Sequence, residues 1–305
     1  MVSWGRQAGY RLFGSRFDYL LHTRPVEWPV LAAHTTTGYL LAVGARGALA
    51  GQSLDSAALG LSLWVVALNG GTLALNSAYD RDEGDIAYLR RPPPPPPHLA
   101  VFGFGLMAAG ALAALLLPTG YVRAYLLCLV LSVLYSVPPL RLKAVPGVDW
   151  LINMWGFGTL TPYAGWALTG LPVGAAGRLI LLGFCPLFAG LYPLTQIYQL
   201  EEDASKGDRT LAVSLGVGRS LGLAAAGVIV AFAFFGAAAV RVGWAGYESW
   251  RWLVLGVAAL AWAVVLLPWL LRYRGLTARQ HQHGMYRALF AWAVTDLAVV
   301  LAWGT

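Results

Sequence analysis

Two ten-residue stretches of this chain carry the same pattern of polar side chains, 123 positions apart. They are NSAYDRDEGD at 76–85 and QLEEDASKGD at 199–208, and each follows a long apolar segment. Each stretch reads amide, carboxylate, glycine, carboxylate at identical spacing. The chain has only 14 acidic residues, and eight of them fall in these two stretches. Crowding like charges is unfavourable, so the pattern favours binding of a cation or a diphosphate over simple capping of helix ends.

In each stretch the amide and the next carboxylate lie four residues apart and therefore share one face of a helix. A further carboxylate, Glu83 in the first stretch and Glu202 in the second, lies on or beside that face. Gly84 can end the first helix and let Asp85 turn toward the same side. Oxygen ligands of this kind suit Mg²⁺ and are poor for zinc. The predicted metal ligands are Asn76, Asp80, Glu83, Asp85, Gln199, Glu202 and Asp203.

The composition indicates that these stretches lie at the edge of a membrane. The chain is 58% hydrophobic and 11% charged, with a mean hydropathy of +0.62, which is far more apolar than a soluble domain. Its apolar runs are continuous and lack the alternation of membrane strands, so we predict an all-α protein. Nine segments are long enough to span a bilayer as helices. They are 26–46, 56–79, 99–117, 121–138, 150–171, 178–199, 217–240, 251–271 and 286–303.

The basic residues predict the orientation. With a cytoplasmic N-terminus, sixteen of the 21 Lys and Arg residues fall on the cytoplasmic side, as the positive-inside rule expects. The net charge of +7 is then a consequence of topology and does not indicate nucleic-acid binding. Both acidic stretches also fall on that side, in loops 80–98 and 200–216. Residues 1–23 are expected to form an amphipathic segment on the inner membrane face.

The duplication predicts two pseudo-repeats of about four helices around a central cavity, in one domain of residues 1–305. Helices 2 and 6 of the nine would then face each other across that cavity. The acidic stretches at their ends would converge on its cytoplasmic opening.

The residues at these positions resemble the UbiA superfamily of intramembrane prenyltransferases. That family carries an Asn-x-x-x-Asp-x-x-x-Asp motif after its second helix and an Asp-x-x-x-Asp motif, followed by Gly and a Thr-Leu stretch, after its sixth. Here 76–85 matches the first motif and EEDASKGDRTLAVSLG at 201–216 matches the second with its tail. Arg24-Pro25-x-x-Trp28 before the first span and YSVPPLRLK at 135–143 also match. Two positions depart from the family pattern: Gly84 and Gln199 stand where it has Asp.

The resemblance implies an enzyme of the inner membrane that transfers a prenyl group from an isoprenoid diphosphate to a lipophilic acceptor, such as an aromatic compound or quinone precursor. Pyrophosphate would be released and Mg²⁺ required, with membrane lipid as the surrounding partner. Asp80 and Asp203 would act at the diphosphate, and Tyr135 and Tyr198 would stabilise the allylic cation through their rings. The basic residues expected to bind the diphosphate are Arg24, Arg90, Arg91, Lys143, Lys206 and Arg209.

Other polar and aromatic residues lie outside the two acidic stretches. Asp149 and Asn153, four residues apart, are expected either to orient the acceptor or, for Asp149, to cap a helix. Asp296 is a carboxylate deep in the last span, where ionisable groups are often functional, without an evident partner in the sequence. Aromatic residues on segments that could line the cavity are Tyr79, Tyr135, Trp155, Tyr163, Trp166, Tyr192 and Tyr198.

Two alternative functions remain open at this point. The first is a terpene cyclase of the same superfamily, which would ionise a prenyl diphosphate without an acceptor. The second is an ion-coupled transporter, although its carboxylates are expected near the bilayer midplane rather than at one membrane face.

Overall fold

A computed structural model describes residues 4–80, 92–145, 147–205 and 210–305. Every regular element in these ranges is helical, which confirms the predicted all-α class. The α-helices, in chain order, are α1 (Trp4–Phe13), α2 (Phe17–His22), α3 (Trp28–Leu49), α4 (Leu54–Ser62), α5 (Gly70–Asp80), α6 (Leu99–Ala114), α7 (Thr119–Ser136), α8 (Val148–Asn153), α9 (Thr161–Ala167), α10 (Ala175–Leu194), α11 (Leu200–Ser205), α12 (Leu211–Val242), α13 (Trp250–Arg272) and α14 (Ala278–Trp303).

Each of the nine predicted spans coincides with a helical part of the structure. In the described ranges, six continuous helices are long and apolar enough to cross a bilayer, so this is an integral membrane protein. They are Leu54–Asp80, Thr119–Ser136, Ala175–Gln199, Leu211–Val242, Trp250–Gly275 and Ala278–Trp303. The other three predicted spans correspond to α3, to the shorter apolar helix α6 and to residues 148–167. The count of nine spans therefore stays a prediction.

Two pairs of consecutive α-helices are each joined by a π-helical stretch. Leu63–Asn69 joins α4 to α5, and Met154–Leu160 joins α8 to α9. A π-helical stretch widens the backbone and rotates the side chains that follow it, and it often occurs at functional sites. Asn69 and Phe157, one from each stretch, line the central cavity described below.

Close contact between α3 and α9 depends on small residues. A side-chain carbon at Gly38 would meet the carbonyl of Pro162, and one at Gly165 would meet the carbonyl of Thr35. Small residues at such positions allow helix backbones to approach in a membrane, where close packing replaces the hydrophobic effect as the source of association. This contact holds the first half of α3 beside the cavity.

The buried core falls into two clusters. One joins the helices from α3 to α9 around Trp64, Tyr121 and Tyr125. The other joins mainly α10, α12, α13 and α14 around Phe184, Phe235 and Trp262. The cavity lies between the two groups of helices. The internal repeat itself stays a prediction.

The predicted interfacial segment forms the short helices α1 and α2. Tyr10 donates a hydrogen bond to Asp18 at 2.7 Å, and burial together with this bond raises the pKa of Tyr10. Tyr19 donates to the carbonyl of Pro97 at 2.5 Å, so the segment contacts the end of the proline run that leads into α6. Exposed Leu12 and Phe13 give α1 an apolar surface suited to a membrane face.

Candidate active site

A cavity of about 650 Å³ lies between the two groups of helices. Both acidic stretches reach it: Asn76 and Asp80 line it from α5, and Gln199 and Asp203 line it from the region after α10. Trp64, near the middle of the continuous helix Leu54–Asp80, also lines it. Sixteen residues separate Trp64 from Asp80, which is roughly 24 Å at 1.5 Å per residue. The cavity is thus long, with the acidic residues at one end.

The first acidic stretch is held by residues that follow α7. Pro138 and Pro139 cannot continue that helix, so the chain turns back toward the end of α5. Lys143 Nζ donates to Oδ1 of Asn76 at 2.9 Å and also forms an ion pair with Asp80. Arg141 Nη2 contacts Oδ1 of Asp80 at 3.1 Å. The YSVPPLRLK motif therefore supplies cations to the amide and carboxylate of the first motif.

The second acidic stretch is held by the start of α12. Thr210 is the N-cap residue of α12, and its hydroxyl accepts a hydrogen bond from the Val213 N–H at 3.3 Å. The same hydroxyl contacts Oδ2 of Asp203 at 3.4 Å. Gln196 Oε1 accepts from the Ala212 N–H at 3.2 Å, which ties the end of α10 to α12. Asp203 is therefore positioned by the Thr-Leu tail of its own motif, a contact that the sequence analysis did not identify.

Most of the predicted site residues in the described ranges reach this cavity. Those that line it are Arg24, Asn76, Asp80, Tyr135, Asn153, Tyr198, Gln199 and Asp203. Lys143 and Asp149 do not line it but contact residues that do. Glu83, Asp85, Arg90, Arg91, Lys206, Arg209 and the Glu202 side chain lie outside the described residues.

The oxygen atoms at the acidic end of the cavity are suitable ligands for a hard cation. Each acidic stretch brings one described carboxylate and one amide to the cavity, all with oxygen ligands. Among the described residues, no three His, Cys, Asp or Glu side chains cluster as a self-contained metal site. Mg²⁺ is commonly held by one or two carboxylates together with substrate phosphates, so a divided set of this kind suits it.

Arg24 adds a positive charge at the same end. It precedes α3 with a φ of 51°, and its Nη1 lies 3.8 Å from Oε1 of Glu27, which also lines the cavity. The Nε atom of Arg24 is buried and has no hydrogen-bond partner among the residues that the structure describes. A buried guanidinium N–H without a partner can donate a hydrogen bond to an anionic ligand.

Asp149 takes a different place from the one predicted. Its carboxylate accepts from the Gly147 N–H at 3.0 Å and from the Tyr192 hydroxyl at 3.1 Å, and it is buried behind the cavity wall. The N-cap residue of α8 is Gly147, so Asp149 does not cap the helix. Asn153 lines the cavity and donates to the backbone carbonyl of Asp149 at 2.8 Å. In the described structure, Asp149 is thus linked to the cavity lining through Tyr192 and Asn153.

Some of the aromatic residues on the segments expected to line the cavity do line it, and others do not. Tyr135, Tyr192 and Tyr198 line the cavity, whereas Tyr79 and Trp155 do not and are 36% and 44% exposed. Tyr163 and Trp166, which lie on segments that could line the cavity, instead line a separate cavity of about 320 Å³. Helix assignment alone could not show which face of each segment points inward.

The part of the cavity away from the acidic stretches is mainly apolar and aromatic, and the buried polar pair of His34 and Asp296 lies there. His34 Nδ1 lies within hydrogen-bond distance of Oδ1 of Asp296, at 2.8 Å, and Trp292 Nε1–H donates to Oδ2 at 3.1 Å. The His34 ring packs edge-to-face against Phe184 and Trp292, with centroids 4.9 Å apart in both pairs. Asp296 therefore has two partners where the sequence showed none. His34 was not predicted, because a single histidine in an apolar helix has no distinguishing pattern.

Comparison with known proteins agrees with this arrangement. The model of the UbiA prenyltransferase family matches residues 30–294. Among curated proteins, the lycopene elongase/hydratase of Haloferax volcanii is 28% identical over 255 residues, covering 81% of each chain.

Solved structures share the fold at low sequence identity. A UbiA homologue from Archaeoglobus fulgidus, bound to GPP and Mg²⁺, has a TM-score of 0.66 at 20% identity, covering 93% of this chain and 99% of that one. A structure of digeranylgeranylglyceryl phosphate synthase has a TM-score of 0.66 at 14% identity, with 93% and 97% coverage. The family match extends from the first span to the last, across both acidic stretches and the cavity between them, and the chain belongs to the UbiA prenyltransferase family.

Proposed function

We propose that this protein transfers a prenyl group from an isoprenoid diphosphate to a lipophilic acceptor inside the membrane, with release of pyrophosphate. The observation that carries the proposal is the division of one cavity into two ends. Asn76, Asp80, Gln199 and Asp203 line one end, and aromatic side chains line the other. A prenyl diphosphate has the same division, with a charged head and an apolar tail.

The charged end supplies the groups needed to bind the diphosphate. Asp80 and Asp203, with Asn76 and Gln199, would hold Mg²⁺, which neutralises phosphate charge as a Lewis acid when bound. Arg24 and Lys143 would contact phosphate oxygens directly. Glu83, Asp85, Glu202, Arg90, Arg91, Lys206 and Arg209 stay candidates for the same site.

The ion pair between Lys143 and Asp80 places an ammonium group at the charged end of the cavity. Lys143 is 12% exposed and Asp80 is 16% exposed, so neither charge is well solvated. The lysine ammonium pairs with the Asp80 carboxylate and donates a hydrogen bond to the Asn76 amide oxygen. When a diphosphate binds, the same ammonium group is placed to contact its oxygens.

The walls beyond the charged end suit an allylic cation. Tyr135, Tyr192 and Tyr198 line the cavity, and Phe157 and Phe188 stack with ring centroids 5.2 Å apart. Aromatic faces stabilise cations, and a site that excludes water prevents their premature capture. Tyr192 donates a hydrogen bond to Asp149, which would hold the tyrosine side chain in place. Asn153, which lines the cavity, would contact the acceptor.

The acceptor is proposed from the chemistry of the cavity and from the relatives. The lining away from the acidic end is mainly apolar, with aromatic and aliphatic side chains. The similar protein from Haloferax volcanii is named as an enzyme of lycopene, a long apolar polyene. We therefore favour a carbon acceptor with a double bond or an aromatic ring. The N-terminus and the charged end would face the cytoplasm, as the basic residues predict.

Reconstituted protein tests this proposal with a donor and an acceptor supplied separately. Dimethylallyl and geranyl diphosphates serve as donors, and lycopene and an aromatic quinone precursor serve as acceptors, each with Mg²⁺ or with a chelator. We expect prenylated acceptor and pyrophosphate in equal amounts, only with Mg²⁺ and acceptor present. Cyclic hydrocarbon or alcohol formed at the same rate without acceptor would contradict acceptor prenylation and indicate a cyclase.

A further inference from the structure

A polar cluster outside the two acidic stretches lies on the wall of the cavity between the two groups of helices, close to its acidic end. Two contacts between α5 and α7 define its level. Thr72 Oγ1 donates to Ser132 Oγ at 2.8 Å. Four residues further along both helices, Ser136 Oγ contacts Oδ1 of Asn76 at 3.4 Å. Tyr135 precedes Ser136 and lines the cavity, so it lies within one residue of the level of Asn76, where the diphosphate is proposed to bind.

Three side chains from different helices meet at this level. The side chain of Tyr135 on α7 interacts with those of Asn153 on α8 and Tyr192 on α10. All three residues line the cavity, so their polar groups meet on its wall. The Tyr192 hydroxyl donates to Oδ2 of Asp149 at 3.1 Å, and Asn153 donates to the backbone carbonyl of Asp149 at 2.8 Å. The Tyr192 hydroxyl thus connects the cavity wall to a carboxylate behind it.

Asp149 has the properties of a proton acceptor. It is only 4% exposed. One of its oxygens accepts from the Gly147 N–H at 3.0 Å and the other from the Tyr192 hydroxyl, as an ionised carboxylate does. Among the residues that the structure describes, no Lys, Arg or His side chain forms an ion pair with it. A buried carboxylate without a paired cation is costly, and uptake of a proton removes that cost.

Prenyl transfer to carbon has to release one proton. Ionisation of the donor breaks its C–O bond and yields an allylic cation and pyrophosphate. Attack by a carbon–carbon double bond of the acceptor forms a new C–C bond and leaves a positive charge on the acceptor. Loss of a proton from a neighbouring carbon, or from the ring carbon of an aromatic acceptor, returns the electron pair of the C–H bond and gives a neutral product. That proton lies close to the donor carbon, so the group that accepts it must lie near the diphosphate.

We propose that the Tyr192 hydroxyl oxygen accepts this proton while its own proton passes to Oδ2 of Asp149. Tyr192 is then a catalytic residue, and Asp149, which acts through it, is a positioning residue that ends the step as a carboxylic acid. The tyrosine is neutral before and after the step, and the proton returns through Tyr192 to water once the product has left. The inference rests on the proposed transfer to a carbon acceptor. It gives a role to a carboxylate that does not itself line the cavity.

The test measures pyrophosphate and prenylated acceptor separately, with the donor and acceptor that the wild-type protein uses. Tyr192→Phe keeps the aromatic face and removes the hydroxyl. We expect it to lower the rate of acceptor prenylation by about 100-fold, as loss of a general base does. Pyrophosphate release should fall much less, because the allylic cation still forms and water captures it as prenyl alcohol. The ratio of coupled product to pyrophosphate should therefore fall at least about tenfold.

Asp149→Asn separates proton acceptance from positioning. Its amide oxygen can still accept the Tyr192 hydroxyl but does not take up a proton, so the ratio should fall by a similar factor. Because the two residues act as one unit, the double variant should be little worse than either single variant. An acceptor deuterated at the carbon that loses the proton should react more slowly than the unlabelled acceptor in both single variants, because proton loss then limits the rate.

Tyr125→Phe is the matched control. Tyr125 on α7 also donates from its hydroxyl, to the carbonyl of Met107 at 3.1 Å, but it is fully buried and does not line the cavity. Its ratio should equal that of the wild type, whatever the loss of stability. An unchanged ratio in both Tyr192→Phe and Asp149→Asn, or losses that multiply in the double variant, would overturn the assignment. Absence of any coupled product from the wild-type protein would instead contradict the proposed function.

Discussion

Lys143 offers a prediction whose magnitude follows from its contacts. Its ammonium donates to Asn76 at 2.9 Å and pairs with Asp80, and only 12% of its side chain is exposed. Lys143→Met keeps the apolar stem and removes the charge. Because Arg141 remains 3.1 Å from Asp80, the carboxylate keeps one cation and the protein should stay folded.

The loss should appear in donor binding. A hydrogen bond to a charged group contributes about 1.5–3 kcal/mol, so the donor should bind about 10- to 150-fold more weakly. The assay is a titration with geranyl diphosphate and Mg²⁺ that gives Kd and KM, beside a thermal unfolding curve for the same preparation.

Arg141→Met is the matched control, because Arg141 touches the same carboxylate. Its side chain is 45% exposed, and solvated pairs of this kind contribute about 0–1 kcal/mol, at most about fivefold in binding. Equal effects of the two substitutions on donor binding would refute the reasoning. Equal effects would show that donor binding depends on the net charge near the cavity opening and not on the buried position of Lys143.

Two further predictions concern positioning and packing. Thr210→Ala and Thr277→Ala each remove a helix N-cap, so each should lower the free energy of unfolding by about 1 kcal/mol. Because Thr210 also contacts Asp203, its substitution should reduce turnover as well, whereas that of Thr277 should not. Equal turnover in the two variants would show that the contact with Asp203 has no functional weight. Gly38→Ala should destabilise the detergent-solubilised protein by roughly 1–3 kcal/mol, because its new carbon meets the Pro162 carbonyl. Gly105 on α6 has no described atom outside its own helix backbone within 4 Å of an added carbon, so Gly105→Ala should not lower the unfolding temperature.

The sequence allowed much of the fold to be predicted because long apolar runs have few alternatives in a membrane. The helical class and the six helices long enough to cross a bilayer follow from that constraint. The two π-helical stretches do not, because Leu63–Asn69 and Met154–Leu160 have ordinary apolar compositions. They depend on contacts with neighbouring helices, which a single sequence does not specify.

The candidate site was predictable where residues combine charge with regular spacing. Asn76, Asp80, Gln199 and Asp203 were identified because carboxylates are rare in this chain. The pairing of His34 with Asp296 was not identifiable, since 262 positions separate the two residues. The burial of Asp149 behind Tyr192 likewise depends on how α8 packs against α10.

The central claim is that the two acidic stretches bind one diphosphate, and a double-mutant cycle on Asp80 and Asp203 tests it most directly. The rate of pyrophosphate release would be measured for Asp80→Asn, Asp203→Asn and the double variant, with the exposed Asp55→Asn on α4 as the control. If both carboxylates serve one ligand, each single change should lower the rate by about 1000-fold and the double change little further. Losses that multiply in the double variant, or an Asp203→Asn rate equal to that of Asp55→Asn, would contradict a shared site.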